Sequence, residues 1–245
     1  MKKILAYTFC AAIISMIFSG CVIVNFSDFN AVSGKGNPES FEIRTGSYNG
    51  ISVEGYCDIR YYASSRDTVT LEIQPNLRDH YFVEVIEGVL LVRTTKKINF
   101  GSSITPVLTV YTPILDSVAI EGVGNFTTYD KISSSSFSYT MSGAGEGKAE
   151  LDVGSLNVAM SGAGDLELSG KADVISLRLS GVGELDALSL QSREAAVYLS
   201  GTGTLRVNCS DNLHINASGT GSVVYAGSPS LTLNNSGLVT VRRAE

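Results

Sequence analysis

A short alternating stretch ending in Ser-Gly recurs six times, at a spacing of about 18–20 residues: Ser142-Gly143, Ser161-Gly162, Ser180-Gly181, Ser200-Gly201, Ser218-Gly219 and Ser236-Gly237. An imperfect copy, Glu121-Gly122, stands one interval before the first. All but the last extend to Gly-X-Gly, as in Gly143-Ala144-Gly145 and Gly201-Thr202-Gly203. A fixed period of this length marks an architecture that stacks one unit on the next, because a single unit cannot bury its own apolar face.

Aligning the copies on Ser-Gly shows what the unit is. Six residues before the glycine stand Phe137, Leu156, Ile175, Ala195, Leu213 and Leu231; four before it, Tyr139, Val158, Leu177, Val197, Ile215 and Leu233; two before it, Met141, Met160, Leu179, Leu199, Ala217 and Asn235. Seventeen of these eighteen slots are apolar, against about eight expected from the 44% composition. The slots between are largely polar, among them His214, Arg178, Tyr198, Asn216 and Asn234. This is the period-2 alternation of a strand with one buried face. A second alternating run, such as Leu166-Glu167-Leu168 or Leu205-Arg206-Val207, follows each corner, and nothing supplies the helix that a leucine-rich repeat needs. Two or three short strands per unit with Gly/Ser turns describe one coil of a β-helix, stacked at about 4.8 Å into a rod about 30 Å tall. Gly122, Gly143, Gly162, Gly181, Gly201, Gly219 and Gly237 are then corner glycines, expected to supply positive φ. The stacked serines are expected to form a hydroxyl ladder along the same corner.

The chain before this region is organised differently. From Phe41 to Val110 the strands are longer and lack the tight period, and a hairpin is expected to turn at Glu87-Gly88. This part reads as broader initial coils, continuous with the rod and covering its N-terminal end, since an open end exposes a strand edge. At the other end, Arg242, Arg243 and Glu245 put charge on the last strand.

The first residues give an address. Lys2 and Lys3 precede an apolar run from Ile4 to Phe18, too short to span a bilayer and shaped as a secretory signal. Phe18-Ser19-Gly20-Cys21 resembles a bacterial lipobox, with Phe18 where Leu is usual. That resemblance implies a signal peptide over 1–20, acylation of Cys21 and a tether over 21–38; the alternative is an ordinary signal peptide cleaved nearby. Cys57 and Cys209 are left in a disulfide-permissive compartment, and the sequence leaves open whether they pair. A net charge of −6 and a pI near 5.0 argue against nucleic-acid binding, which needs a basic stripe.

The order of these features resembles the bacterial putative autotransporter-adhesin head domains of the GIN type. The resemblance rests on Phe41 to Ile59, Pro75-Asn76-Leu77, Val83 to Val92, Thr112 to Gly124 and the Ser-Gly-Ala-Gly repeats. It implies an all-β, right-handed, single-stranded parallel β-helix over 39–245, with about 18–21 residues per coil. Residues 39–112 would be its broader coils and 113–245 its regular repeats. It also implies a lipoprotein or secreted protein of a Gram-negative envelope, here placed in the outer membrane, facing the periplasm or the outside. It offers no catalytic residue, cofactor or metal ligand.

Inspection for chemistry agrees with a non-enzymatic reading. His214 falls in an outward slot and reads as solvated; no elbow positions a nucleophile; no helix follows the glycines to make a phosphate loop. Glu146, Asp165, Glu167, Glu184 and Asp186 form an acidic column beside the corner, with Arg178 and Arg206 nearby. A polysaccharide-acting enzyme would use such carboxylates, but the repeats lack the long loops that wall an active groove. Arg178, Tyr198, Asn216 and Asn234 share one outward row, a ligand-facing candidate for a glycan or a surface protein. Three readings follow: a membrane-anchored, non-enzymatic adhesin or binding module; as the alternative, a periplasmic structural or envelope-maintenance scaffold; and as the second alternative, a polysaccharide-acting β-helix enzyme. The oligomeric state stays open.

Overall fold

A computed structural model describes residues 31–244, apart from 96, 97, 100 and 102. The signal peptide and Cys21 lie outside the described residues. The elements are β1 (Glu39–Ile43), β2 (Gly50–Val53), β3 (Asp58–Ala63), β4 (Thr68–Ile73), a 3₁₀ helix (Pro75–His80), β5 (Tyr81–Ile86), β6 (Val89–Thr94), β7 (Val107–Thr112), β8 (Ser117–Ile120), β9 (Phe126–Thr128), β10 (Ile132–Met141), β11 (Ala144–Met160), β12 (Ala163–Leu179), β13 (Val182–Leu199), β14 (Thr202–Ala217), β15 (Thr220–Ala226), β16 (Ser230–Asn235) and β17 (Leu238–Arg243). They build an all-β solenoid of parallel, stacked coils.

Each middle coil is one continuous strand, not two or three. β11 to β14 run 16 to 18 residues each and break only at Ser-Gly. Within each, strict alternation is interrupted by consecutive exposed residues, as at Gly154-Ser155, where the strand bends and begins a second ladder. The ladder before the Ser-Gly corner stacks β6, β2, β8, β10, β11, β12, β13, β14 and β16. The ladder after it stacks β7, β3, β9, β11, β12, β13, β14, β15 and β17. Every inward slot from Phe137 to Ala217 is buried, so the repeat phase read from the sequence is the phase of the core.

The corner glycines serve a different purpose from the one expected. The first glycine of each Gly-X-Gly has no positive φ. Its constraint is close approach: a Cβ on Gly143, Gly162, Gly181, Gly201 or Gly219 would lie within 1.7–2.0 Å of the carbonyl oxygen of the corner glycine one coil below. Gly122 stacks on Gly55 and Gly237 on Gly219 in the same way. The second glycine carries the unusual backbone, with φ of 139° to 156° at Gly145, Gly164, Gly183, Gly203 and Gly221. Among the described residues no hydrogen bond joins one corner serine to another; Ser180 Oγ instead donates to the carbonyl of Met160, 3.4 Å away.

The first half is not a simple continuation of the rod. The coil of β2 and β3 is sandwiched between the later β6–β7 coil and β8–β9, so chain order and stacking order differ. The chain leaves β3, runs through β4 and the 3₁₀ helix, and turns back. The expected hairpin is present: β5 and β6 are antiparallel around Glu87 (φ 50°) and Gly88 (φ 80°). Below the lowest coil, β5 covers β6, β4 covers β7 and β1 covers β4, all antiparallel. Residues 32–36, which fall in the stretch expected as a tether over 21–38, are held by the same closure. Val32 bridges Ile98, Gly34 N–H donates to Ser103 Oγ (2.8 Å) and Lys35 N–H to Asn76 Oδ1 (2.7 Å). Buried Gln74 ties these pieces together, donating to the Gly36 carbonyl and accepting from Ile104 N–H, both at 2.9 Å.

Candidate functional site

The outward row is assembled by register alone. Arg178 on β12, Tyr198 on β13, Asn216 on β14 and Asn234 on β16 are consecutive Cα partners, and the alternation that buries Leu177, Leu179, Val197 and Ile215 turns all four outward. The Arg178 guanidinium lies 4.3 Å from the Tyr198 ring centroid, a cation–π contact. It also donates to Ser176 Oγ at 2.8 Å. Asn234 Nδ2 donates to Asn216 Oδ1 (3.1 Å), and Asn216 Nδ2 to His214 Nε2 (2.8 Å). His214, expected to be solvated, is half-buried in the adjacent outward row and tied to this one through Asn216. These contacts hold neighbouring side chains in fixed rotamers, which lowers the entropy cost of presenting a rigid polar surface.

A shallow groove of about 260 Å³ runs beside this row, lined by Val174, Glu194, Ala196, Asn212, His214 and Thr232. It exists because Ala196 stands in the outward slot that Ser176 and His214 fill on neighbouring coils. Val174, 48% exposed, adds apolar surface among amide, carboxylate and imidazole groups. Enclosed small-molecule sites run ~300–1,000 Å³; this open groove is smaller than that range.

The acidic column stands on the other ladder, away from Arg178, with Arg206 inside it. Lys148 Nζ pairs with Glu167 (3.0 Å), and Arg206 with Glu184 and with Asp186 (3.3 Å). Asp165 Oδ1 accepts the Glu184 N–H, Asn125 Oδ1 the Glu146 N–H, and Asp58 Oδ1 the Asn125 N–H, each at 2.8 Å. These oxygens satisfy N–H groups next to the corner, so much of the column is structural. A groove of about 590 Å³ lies over it. Among the described residues, no three His, Cys, Asp or Glu side chains are placed to hold a metal.

One feature escaped the sequence. Tyr111, Tyr62 and Tyr129 stack on the outer face of the second ladder, with centroids 5.1 and 4.8 Å apart and planes within 20° and 8°. Tyr111 lies on β7, Tyr62 on β3 and Tyr129 directly after β9; these strands are neighbours in space but out of chain order, and the region has no repeat to align, so nothing in the spacing shows the stack.

Cys57 and Cys209 are free and buried. Five strand steps separate β3 from β14, ~24 Å, whereas a disulfide spans Cα atoms no more than ~7 Å apart. Burial pushes the Cys57 thiol up to about 12 and raises that of Cys209, so both stay protonated at neutral pH. A thiol-specific disulfide reagent should leave both untouched in the folded protein and modify both in denaturant. Rapid native labelling of either would contradict this burial.

The family described as "Putative auto-transporter adhesin, head GIN domain" matches residues 47–229. No curated protein matches the chain. Three solved structures are similar. A putative adhesin from Bacteroides fragilis has 22% identity and a TM-score of 0.78, covering 87% of this chain and 100% of its own. A putative adhesin from Parabacteroides merdae has 18% identity and a TM-score of 0.68, covering 88% and 100%. A putative lipid binding protein from Parabacteroides distasonis has 22% identity and a TM-score of 0.64, also covering 88% and 100%. At these identities the likeness is one of fold.

Proposed function

Because the chain belongs to the family of putative auto-transporter adhesin head GIN domains, we propose that it is an exported, non-enzymatic binding module of the cell envelope. Acyl chains on Cys21 hold it to the outer membrane, and its ligand is an extended glycan or a surface protein. The observation that carries the ligand reading is the in-register row of Arg178, Tyr198, Asn216 and Asn234 beside the Ala196 groove. Rungs repeating at ~4.8 Å offer a regular polymer the same kind of contact several times over. Aromatic and amide groups bring apolar area and directional hydrogen bonds at low entropy cost. The anchor reading rests on Lys2, Lys3, the apolar run and the lipobox-like Phe18 to Cys21.

The test is a glycan and surface-protein array probed with the full chain, followed by titration of the best hit. Tyr198→Ala is expected to weaken binding at least ~10-fold, about 1.4 kcal/mol. Tyr62→Ala, on the other ladder, should leave it unchanged. Equal losses from both variants would remove the row from the site. Antibody labelling of intact cells is expected to reach the protein, and protection until lysis would replace adhesion by a periplasmic role. A second reading, a scaffold built by self-association, is favoured by β16 and β17, whose upper edges are unpaired among the described residues.

A further inference from the structure

The last rung differs from every rung beneath it. Among the described residues β16 pairs only with β14 and β17 only with β15, so each presents an unpaired edge. Leu231 and Leu233 fill the inward slots that Leu213 and Ile215 occupy one coil below, yet are 39% and 42% exposed against 1% and 0%. Leu238 is 81% exposed. β16 carries no charge and no proline, the usual devices that blunt an edge, and Arg242 and Arg243 stand only at the far end of β17. Asn235, the one polar residue in the eighteen inward slots, accepts from Gly237 N–H and donates to the Val239 carbonyl, holding the corner of this open rung.

We propose that this rung is an interface between two copies of the chain, joined head to head about a twofold axis through Thr232 and Thr240. Such an axis, normal to both strands, makes each the antiparallel partner of itself. At Thr232 it sets Leu231 opposite the partner's Leu233; at Thr240 it sets Val239 opposite the partner's Val241. The inward rows of the two rods then meet apolar to apolar, and both ladders continue across the junction. Thr232 and Thr240 flank the Ser236-Gly237 corner, four residues before Ser236 and three after Gly237. Charge agrees: β16 is neutral, and on β17 the axis brings Arg242 across from the partner's Leu238, whose apolar surface its aliphatic stem covers, and not across from a second arginine. An end face bounded by two ~20 Å strands is on the order of 600 Å² per copy, a little under the ~800 Å² of a standard interface, so micromolar affinity is expected. This inference is independent of the ligand row.

Sedimentation velocity of the full chain should show a dimer whose fraction rises between about 1 and about 100 µM. Leu233→Lys should weaken it at least ~10-fold by burying an unpaired charge. Thr232→Cys supplies a separate test if that variant folds poorly. Directly opposed antiparallel residues have Cα atoms ~4.5–5.5 Å apart, within disulfide reach. Mild oxidation should therefore link two copies at position 232, while Thr140→Cys, mid-face, should not link. A monomer at every concentration overturns the proposal. So does linkage at position 140 as readily as at 232, or capture of position 232 by another segment of the same chain.

Discussion

Gly183→Ala is expected to cost at least ~4 kcal/mol and to leave little folded protein, a size of effect that point changes reach only through severe backbone or core damage. The added Cβ would lie 1.8 Å from the Gly164 carbonyl oxygen and 2.8 Å from its carbon. The residue also sits at φ 149°, where an L side chain is strained in any surroundings. Relief would need the coils to part, but β11 and β12 are in register before the corner (Met160 with Leu179) and β12 and β13 after it (Ala163 with Val182), so the clash cannot be absorbed by a loop. Gly46→Ala is the control: nothing lies within 4 Å of the place its Cβ would take, its φ is ordinary, and its effect should stay within ~0.5 kcal/mol. Denaturant midpoints decide the matter, and similar midpoints for the two variants would refute the stacked-corner account.

The second large effect sets one slot of the repeat against itself. Leu177 and Leu233 occupy the same place, four residues before the corner glycine. Leu177 is fully buried between coils, and Leu177→Ala is expected to cost ~2–5 kcal/mol through lost burial and the cavity left behind. Leu233, 42% exposed on the last rung, should cost under ~1 kcal/mol in the monomer. Equal losses would mean that something covers the end even when the protein is dilute.

Tyr198 shows how far the sequence carries a site. The repeat aligns it with Arg178, Asn216 and Asn234 without coordinates, because in-register coils turn equal offsets into one row. Alignment does not show what those side chains do to one another. The Arg178 stack on Tyr198, the tie of His214 to Asn216 and the groove over Ala196 depend on rotamers and on residue size in adjacent rungs. The acidic column teaches the converse. Its residues align as expected, yet Asp165 is occupied with a backbone N–H and Glu167 and Glu184 with cations.

Local repetition accounts for the strand alternation, the recurring Ser-Gly corner, the choice of core face, and the outward residues that fall in line. All four follow from a period of two within a strand and a constant register between coils, and both periods are written in the chain. Long-range packing supplied the remainder. The β2–β3 coil is clasped between strands that come later in the chain, Tyr111, Tyr62 and Tyr129 meet across that crossing, and among the described residues one end is closed while the other keeps its edge. Each of these rests on contacts between residues far apart in sequence. No local pattern encodes such contacts, because closing the loop that makes them is decided by the packing of the whole coil stack.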